Sequence, residues 1–192
     1  MSGTALDTTR REIVEAADEL FYGRGIQAVG MDEVRSAAGV SLKKLYASFP
    51  GKEQLVVAVL AERHEIWQRG IASAVDAAAG PRGKLLAMYD FLEEWFADTS
   101  FRGCGFINAF GELGATSPAV ADAARGHKRE FQEAVLALTH EAGLAGAPAD
   151  ELAAQLALLA EGAQTTAAIS GTTDPARVAR RAAEVLVGAA LG

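Results

Sequence analysis

Met31-Asp-Glu-Val-Arg-Ser-Ala-Ala-Gly-Val-Ser-Leu-Lys-Lys-Leu-Tyr-Ala-Ser-Phe-Pro-Gly-Lys-Glu-Gln-Leu55 decides how this chain of 192 residues folds. Its spacing predicts two short helices, about Asp32 to Ala38 and Leu42 to Phe49, separated by Gly39-Val40-Ser41. Glycine allows a sharp reversal, Val40 can plug the angle between the helices, and the Ser41 hydroxyl can cap the second one. At about 100° per residue, Leu42, Leu45, Tyr46 and Phe49 share one arc and form the inward face. Lys43, Lys44, Ala47 and Ser48 face outward.

Lys43 and Lys44 stand in the first turn of that helix, where they oppose the positive end of its macrodipole at about 0.3–1 kcal/mol apiece. A broken local rule points to function. If the partner is a phosphate backbone, terminal N–H groups and ammonium groups attract the same anion. A helix entering a major groove N-terminus first has this geometry. Taken alone, the pair also fits a solvated helix end, Tyr46 a plain core aromatic, and Arg35 an ordinary surface arginine. The charge distribution bears on that choice. The net charge is −7, with 8 Lys/Arg against 9 Asp/Glu in residues 1–63 and 10 against 16 in residues 64–192. Between Glu33 and Glu53, however, Arg35, Lys43, Lys44 and Lys52 meet no acid. Nucleic acid senses such a local patch, because fields at physiological salt decay over about 8 Å.

Outward from this window the chain reads as helix after helix. A first helix is predicted from about Thr8 to Gly23, with Ile13, Ala17, Leu20 and Phe21 on one face and Gly23-Arg24-Gly25 ending it. A long fourth helix starts at Lys52, with Leu55, Val56, Val59, Leu60 and Trp67 as its stripe. Gly80-Pro81 breaks the chain before a fifth, a short sixth covers about Gly105 to Leu113, and Ser117-Pro118 starts a seventh that ends at Gly143. Asp150 opens an eighth running to about Gly171, and Asp174-Pro175 a ninth. No apolar run reaches the roughly 18 residues of a membrane span. The opening Met1-Ser2-Gly3-Thr4-Ala5-Leu6-Asp7 lacks the pattern of a signal peptide, and the single Cys104 excludes an internal disulfide. A soluble cytoplasmic protein, without membrane contact, is the expectation.

From Thr9 to about Trp67 the chain resembles the DNA-binding domain of the TetR/AcrR family. The matching pieces are Arg11-Glu-Ile-Val-Glu-Ala-Ala-Asp-Glu-Leu-Phe21, Arg24-Gly25-Ile26, Met31-Asp-Glu-Val34, Ala37-Ala-Gly-Val-Ser41, Leu45-Tyr46 and Phe49-Pro-Gly-Lys-Glu-Gln-Leu55. It is their shared order and spacing that makes the resemblance specific. The resemblance implies an all-α fold of about nine helices. A three-helix helix-turn-helix DNA-binding domain would span 7–67, and a helical ligand-binding and dimerisation domain 68–192. It implies that Gly30, Met31, Ser41, Lys43, Lys44, Tyr46, Ser48 and Lys52 meet DNA. Lys43, Lys44 and Ser48 would lie in the major groove, while Tyr46 and Lys52 would touch phosphate. Gly30 is a departure, since the family usually caps the second helix with Ser or Thr there.

Beyond residue 67 the resemblance is mainly architectural, with Gly103-Cys-Gly-Phe-Ile-Asn-Ala-Phe-Gly-Glu-Leu113 similar to a sixth-helix segment of many members. Aromatic residues gather in this half. Most read as core, yet pockets in helical bundles are mostly apolar with a few oriented polar groups. The residues expected at a small-molecule effector are Trp67, Tyr89, Leu92, Trp95, Phe96, Phe106, Asn108, Phe110, His127, Phe131 and Gln164, with Glu112 as a further polar group. The effector would be an uncharged or cationic aromatic or lipophilic molecule. His127 equally fits a hydrogen-bonded helix histidine, and Cys104 fits a buried inert thiol or a sensor thiol. With three histidines and no local Cys/His/Asp cluster, neither metal nor cofactor is expected.

In the ninth helix Arg177, Arg180, Arg181 and Glu184 form one polar stripe, and apolar or small residues cover the rest. Such a helix must be buried on two sides. The simplest partner is a second subunit, giving a homodimer through helices at about 150–170 and 175–191; a helix buried within one monomer is the alternative. The expected function is a sequence-specific transcriptional regulator, a repressor released from a palindromic operator on double-stranded DNA by its effector. A helical binding protein without DNA recognition competes with it. An enzyme does not, for want of a nucleophile–base signature or a phosphate-binding glycine loop.

Overall fold

Gly39 lies at φ +65°, and the left-handed turn it allows is what separates the two short helices. The computed structural model describes residues 3–192, with side chains from residue 7. Among the described residues the regular structure is nine helices: α1 (Gly3–Arg24), α2 (Met31–Ala37), α3 (Leu42–Ser48), α4 (Lys52–Ala77), α5 (Gly80–Phe96), α6 (Gly105–Leu113), α7 (Pro118–Glu141), α8 (Ala147–Ser170) and α9 (Asp174–Leu191). None is long and apolar enough to cross a membrane. By mutual contact the chain forms two compact units, one running through Glu65 and including Gly105–Arg125, the other made of Ile66–Cys104 and Gly126–Gly192. α6 and the start of α7 thus pack with the first unit, although they lie beyond residue 67.

In the first unit α1 packs on α2 and α3. Ile13, Ala17, Phe21, Ile26, Val29, Val34, Leu45, Phe49 and Leu55 are buried there, and so is Val40 in the turn between α2 and α3. The inward face expected of α3 is corrected on two residues. Leu45 and Phe49 are buried, but Leu42 and Tyr46 are 51% and 47% exposed. A seven-residue helix meets its neighbours along a single line, and these two, one turn apart, fall on the edge beyond it. Arg63 ties α4 to α1 by gripping the Asp18 carboxylate with two N–H groups and lying 3.5 Å over the Tyr22 ring. Burial holds the Asp18 carboxyl above the ordinary carboxylate value, outweighing the guanidinium beside it. Glu112 is not free to serve a ligand. Its carboxylate accepts the Ile26 and Gln27 backbone N–H groups at 2.9 and 2.8 Å.

In the second unit α5 packs on α8 and α9. Leu85, Met88, Tyr89 and Leu92 are buried, and the Tyr89 hydroxyl donates to the Leu156 carbonyl at 2.8 Å. α8 begins at Ala147, before the expected Asp150, because Pro148 is tolerated in a first turn where its missing N–H has no helical partner. Two residues of the polar stripe of α9, Arg177 and Arg180, reach α5. Arg177 donates to Glu93 at 2.8 Å and also grips Asp174, while Arg180 donates to Asp90 at 2.6 Å and grips Glu184. Ala176, Ala179, Ala183 and Val187 are buried. Between the two faces Val178 and Val185 stay 55% and 71% exposed.

Gly70 on α4 carries the Phe91 ring so closely that an added Cβ would lie 2.4 Å from its Cε2. Gly70→Ala should therefore destabilise the protein by about 1–3 kcal/mol through overpacking. Chemical denaturation measures it, and pairing the change with Phe91→Leu should return most of the loss. A Gly70→Ala protein as stable as wild type would show that the ring moves aside freely.

Candidate nucleic-acid interface and sensor core

Ser41 sets the geometry of the α3 N-terminus. It lies in extended backbone at φ −76° and ψ 153°, and its Oγ accepts the Lys44 N–H at 3.3 Å. That bond satisfies one of the otherwise unpaired N–H groups of the first turn and sets where the helix starts. Lys43 and Lys44 are exposed and make no ion pair among the described residues, so both ammonium groups are available to an external anion. α3 has no acid in its first turn and no base in its last.

The other residues expected at DNA lie on three elements of the same unit. Tyr46 is at the surface of α3, beside Leu42 on its edge. Ser48 closes α3 and is half-buried. Lys52 opens α4 with its ammonium 5.8 Å over the Phe21 ring. Gly30 caps α2 without a side chain; its N–H donates to Glu33 Oε1 at 3.2 Å, so only the returning half of a capping box exists. That bond and Arg24, at 2.7 Å from the other oxygen, hold the Glu33 carboxyl below its ordinary value. Met31 follows, half-buried.

Arg10 was not anticipated from sequence. From α1 it donates to the Ser48 carbonyl at 2.9 Å and lies 4.2 Å over the Phe49 ring, placing a cation at the negative end of α3. The only signal for it was the lack of a basic residue within the last turn of α3 itself.

In the second unit Trp67 centres a ring cluster, with centroids 5.4 Å from Phe91 and Trp95, 5.7 Å from Phe131 and 6.0 Å from His127. Trp95 and Phe96 share contact with Phe101 at 5.0 and 4.7 Å. His127 and Gln164 are buried polar side chains, Gln164 donating to the Ala160 carbonyl at 3.3 Å. Tyr89 and Leu92 belong to the same apolar cluster. Phe106, Asn108 and Phe110 fall in the first unit, Phe106 buried and Phe110 45% exposed. Cys104 is buried, 4.0 Å from the Lys128 ammonium, which also pairs with Glu161 at 3.2 Å. Among the expected effector residues none lines the open groove of about 500 Å³ between α4 and α5, walled by Ser73, Ala74, Ala77, Asp90, Phe91 and Glu94.

Two short helices joined by a turn with a left-handed glycine form a helix-turn-helix, and the second unit is an all-helical core. Family comparison agrees over both parts. Residues 13–59 match the model for bacterial regulatory proteins of the tetR family, and residues 80–183 match that for the tetracyclin repressor-like C-terminal domain. The second match alone covers more than half of the chain, and the chain belongs to the TetR family. The HTH-type transcriptional activator FasR of Mycolicibacterium smegmatis is 36% identical over 91 residues, which are 45% of this chain and 42% of FasR. LmrA of Bacillus subtilis, an HTH-type transcriptional regulator, is 32% identical over 45% of each chain. The match spans 42% of the length of FasR, 49% of that of SrpR of Pseudomonas putida and 45% of that of LmrA, about half in each case. A TetR-family regulator from Streptomyces coelicolor shares the fold over 96% of both chains, with a TM-score of 0.87 at 23% identity. One from Chloroflexus aurantiacus does so with a TM-score of 0.84 at 22% identity, again over 96% of both.

Proposed function

We infer that the protein is a sequence-specific DNA-binding transcriptional regulator, a repressor that leaves its operator when a small molecule binds. The observation that carries this is the pair of ammonium groups, Lys43 and Lys44, without an ion pair among the described residues, on the first turn of a Ser41-capped helix whose other face, Leu45 and Phe49, is buried in the core. Residues 7–67 form the reader in sequence and residues 68–192 the sensor, with α6 and the start of α7 packed into the reader's unit. Such a regulator works in the cytoplasm, where the DNA is.

Operator binding calls for two readers. On α8 Leu158, Gly162, Thr165 and Ile169 fall along one face, and on α9 Val178, Ala182, Val185 and Ala189 do the same. Leu158 and Ile169 are 72% and 83% exposed in the single chain. A two-fold four-helix contact between these faces would cover them. It would present two α3 helices about one duplex turn, roughly 34–36 Å, apart on a near-palindromic site. A genomic footprint of the purified protein, followed by gel shift on the protected fragments, tests the binding. Loss of the gene should raise transcription from the protected promoters; a fall would make the protein an activator.

The effector site in this reading is the ring cluster around Trp67, with His127 and Gln164 as its polar groups and an apolar or aromatic molecule, neutral or cationic, as its occupant. Effector binding favours a conformer in which α4, which runs from reader to sensor, is displaced. By linkage DNA must then weaken effector in return. The chain's two tryptophans, Trp67 and Trp95, both belong to the cluster. Compounds that release DNA should therefore change tryptophan emission saturably, with matching midpoints. Release without any change in emission would move the effector site elsewhere.

A further inference from the structure

α1 ends in a left-handed glycine, Gly25 at φ +88°, whose N–H donates to the Phe21 carbonyl at 2.9 Å. After such a cap the next N–H groups turn off the helix and converge into a small anion-binding nest. Here the nest is filled from within the chain. The Ile26 and Gln27 N–H groups donate to the two oxygens of one carboxylate at 2.9 and 2.8 Å, and that carboxylate belongs to Glu112, in the last turn of α6. Gln27 Nε2 donates in return to the Glu112 carbonyl at 2.7 Å, a group that the helix end itself leaves without a partner. A Cβ at Gly25 would stand 3.5 Å from both carboxylate oxygens, so the carboxylate lies over the glycine. Loop and helix cap one another.

We propose that Glu112 is a positioning residue for operator binding, holding the loop between α1 and α2 in the form that presents α3 to DNA. The role rests on the DNA-binding reading above. The loop it holds contains Ile26 and Val29, both buried in the core that seats α2, and α2 in turn packs on α3. A reader held in its bound form gives up less freedom on binding. Release of the latch loosens the loop and weakens the complex, without Glu112 ever touching DNA.

The sign of the effect separates positioning from simple charge. Removing a carboxylate from a protein of net charge −7 lessens its repulsion of DNA, so a change of charge alone would tighten binding. Positioning predicts the opposite. A glutamine at 112 offers one acceptor oxygen and sets its NH2 group against an N–H donor.

The test uses the full chain, wild type and Glu112→Gln, on fragments that wild type protects in the genomic footprint, at fixed salt, with backbone amide exchange measured alongside. Glu112→Gln should raise Kd about tenfold and speed exchange at Ile26 and Gln27, while the amides of α8 and α9 stay protected. Gln27→Ala, which keeps the carboxylate and removes only the returning bond, should act in the same direction by about threefold. Binding by Glu112→Gln as tight as wild type or tighter, or exchange at Ile26 and Gln27 that stays at wild-type rates, would overturn the role. A wild-type protein that protects no DNA would remove the DNA-binding reading first, and this role with it.

Discussion

Replacing Lys43 and Lys44 together by alanine should cut operator affinity by roughly two to three powers of ten at 0.15 M salt. A dimer loses four ammonium groups by this change, and each one that neutralises a phosphate adds about 0.9 to the slope of log K against log salt. The slope should therefore flatten, by up to about 3–4 if all four neutralise phosphate. Stability should move the other way. Both lysines oppose the dipole of α3, and alanine is the better helix former, so the variant should melt at or above the wild-type temperature. Loss of affinity in a protein no less stable is what separates a contact from a fold defect. Unchanged binding would take these residues off the DNA, and a fall in affinity with an unaltered salt slope would leave them on base edges of the major groove rather than on phosphate.

Leu158→Asp should split the proposed dimer. Leu158 is 72% exposed in the single chain, so an aspartate there costs the protomer little. In a two-fold contact the same change enters twice, burying two carboxylates. No base lies within one turn of it on α8, where Ala154, Gln155, Glu161 and Gly162 are the neighbours. Each unpaired buried charge costs several kcal/mol, enough to leave monomer in sedimentation at micromolar concentration. Operator affinity should then fall about 10²–10⁴-fold, the advantage a linked second reader confers. A variant that still sediments as a dimer would place the interface on another face.

The two variants test different links. The lysine variant tests where the protein meets DNA, and Leu158→Asp tests how many readers a single molecule presents. Combined in one chain, their losses should fall short of additive, since a monomer has only two of the four ammonium groups left to lose.

What local sequence determined is considerable. Gly39-Val40-Ser41 specifies the turn because left-handed glycine, a small apolar plug and a hydroxyl cap each act over only a few bonds. The buried identities of Ile13, Ala17, Phe21, Leu45 and Phe49 follow from spacing, since one face of a short helix is set by its own pitch. The outward lysines follow for the same reason. Spacing fails where the neighbour matters more than the helix. It assigned Leu42 and Tyr46 to the core, although α3 meets its neighbours along too narrow a line to cover them. It grouped Arg177, Arg180, Arg181 and Glu184 as one stripe but held no sign that Asp90 and Glu93 of α5 would receive the first two. It counted Glu112 among groups free for a ligand, when the free N–H pair behind Gly25 claims its carboxylate from more than eighty residues away. Periodicity tells a helix which side to bury; only tertiary packing selects what it is buried against, because the ion pairs and backbone bonds that decide it join groups whose separation along the chain carries no information about their distance in space.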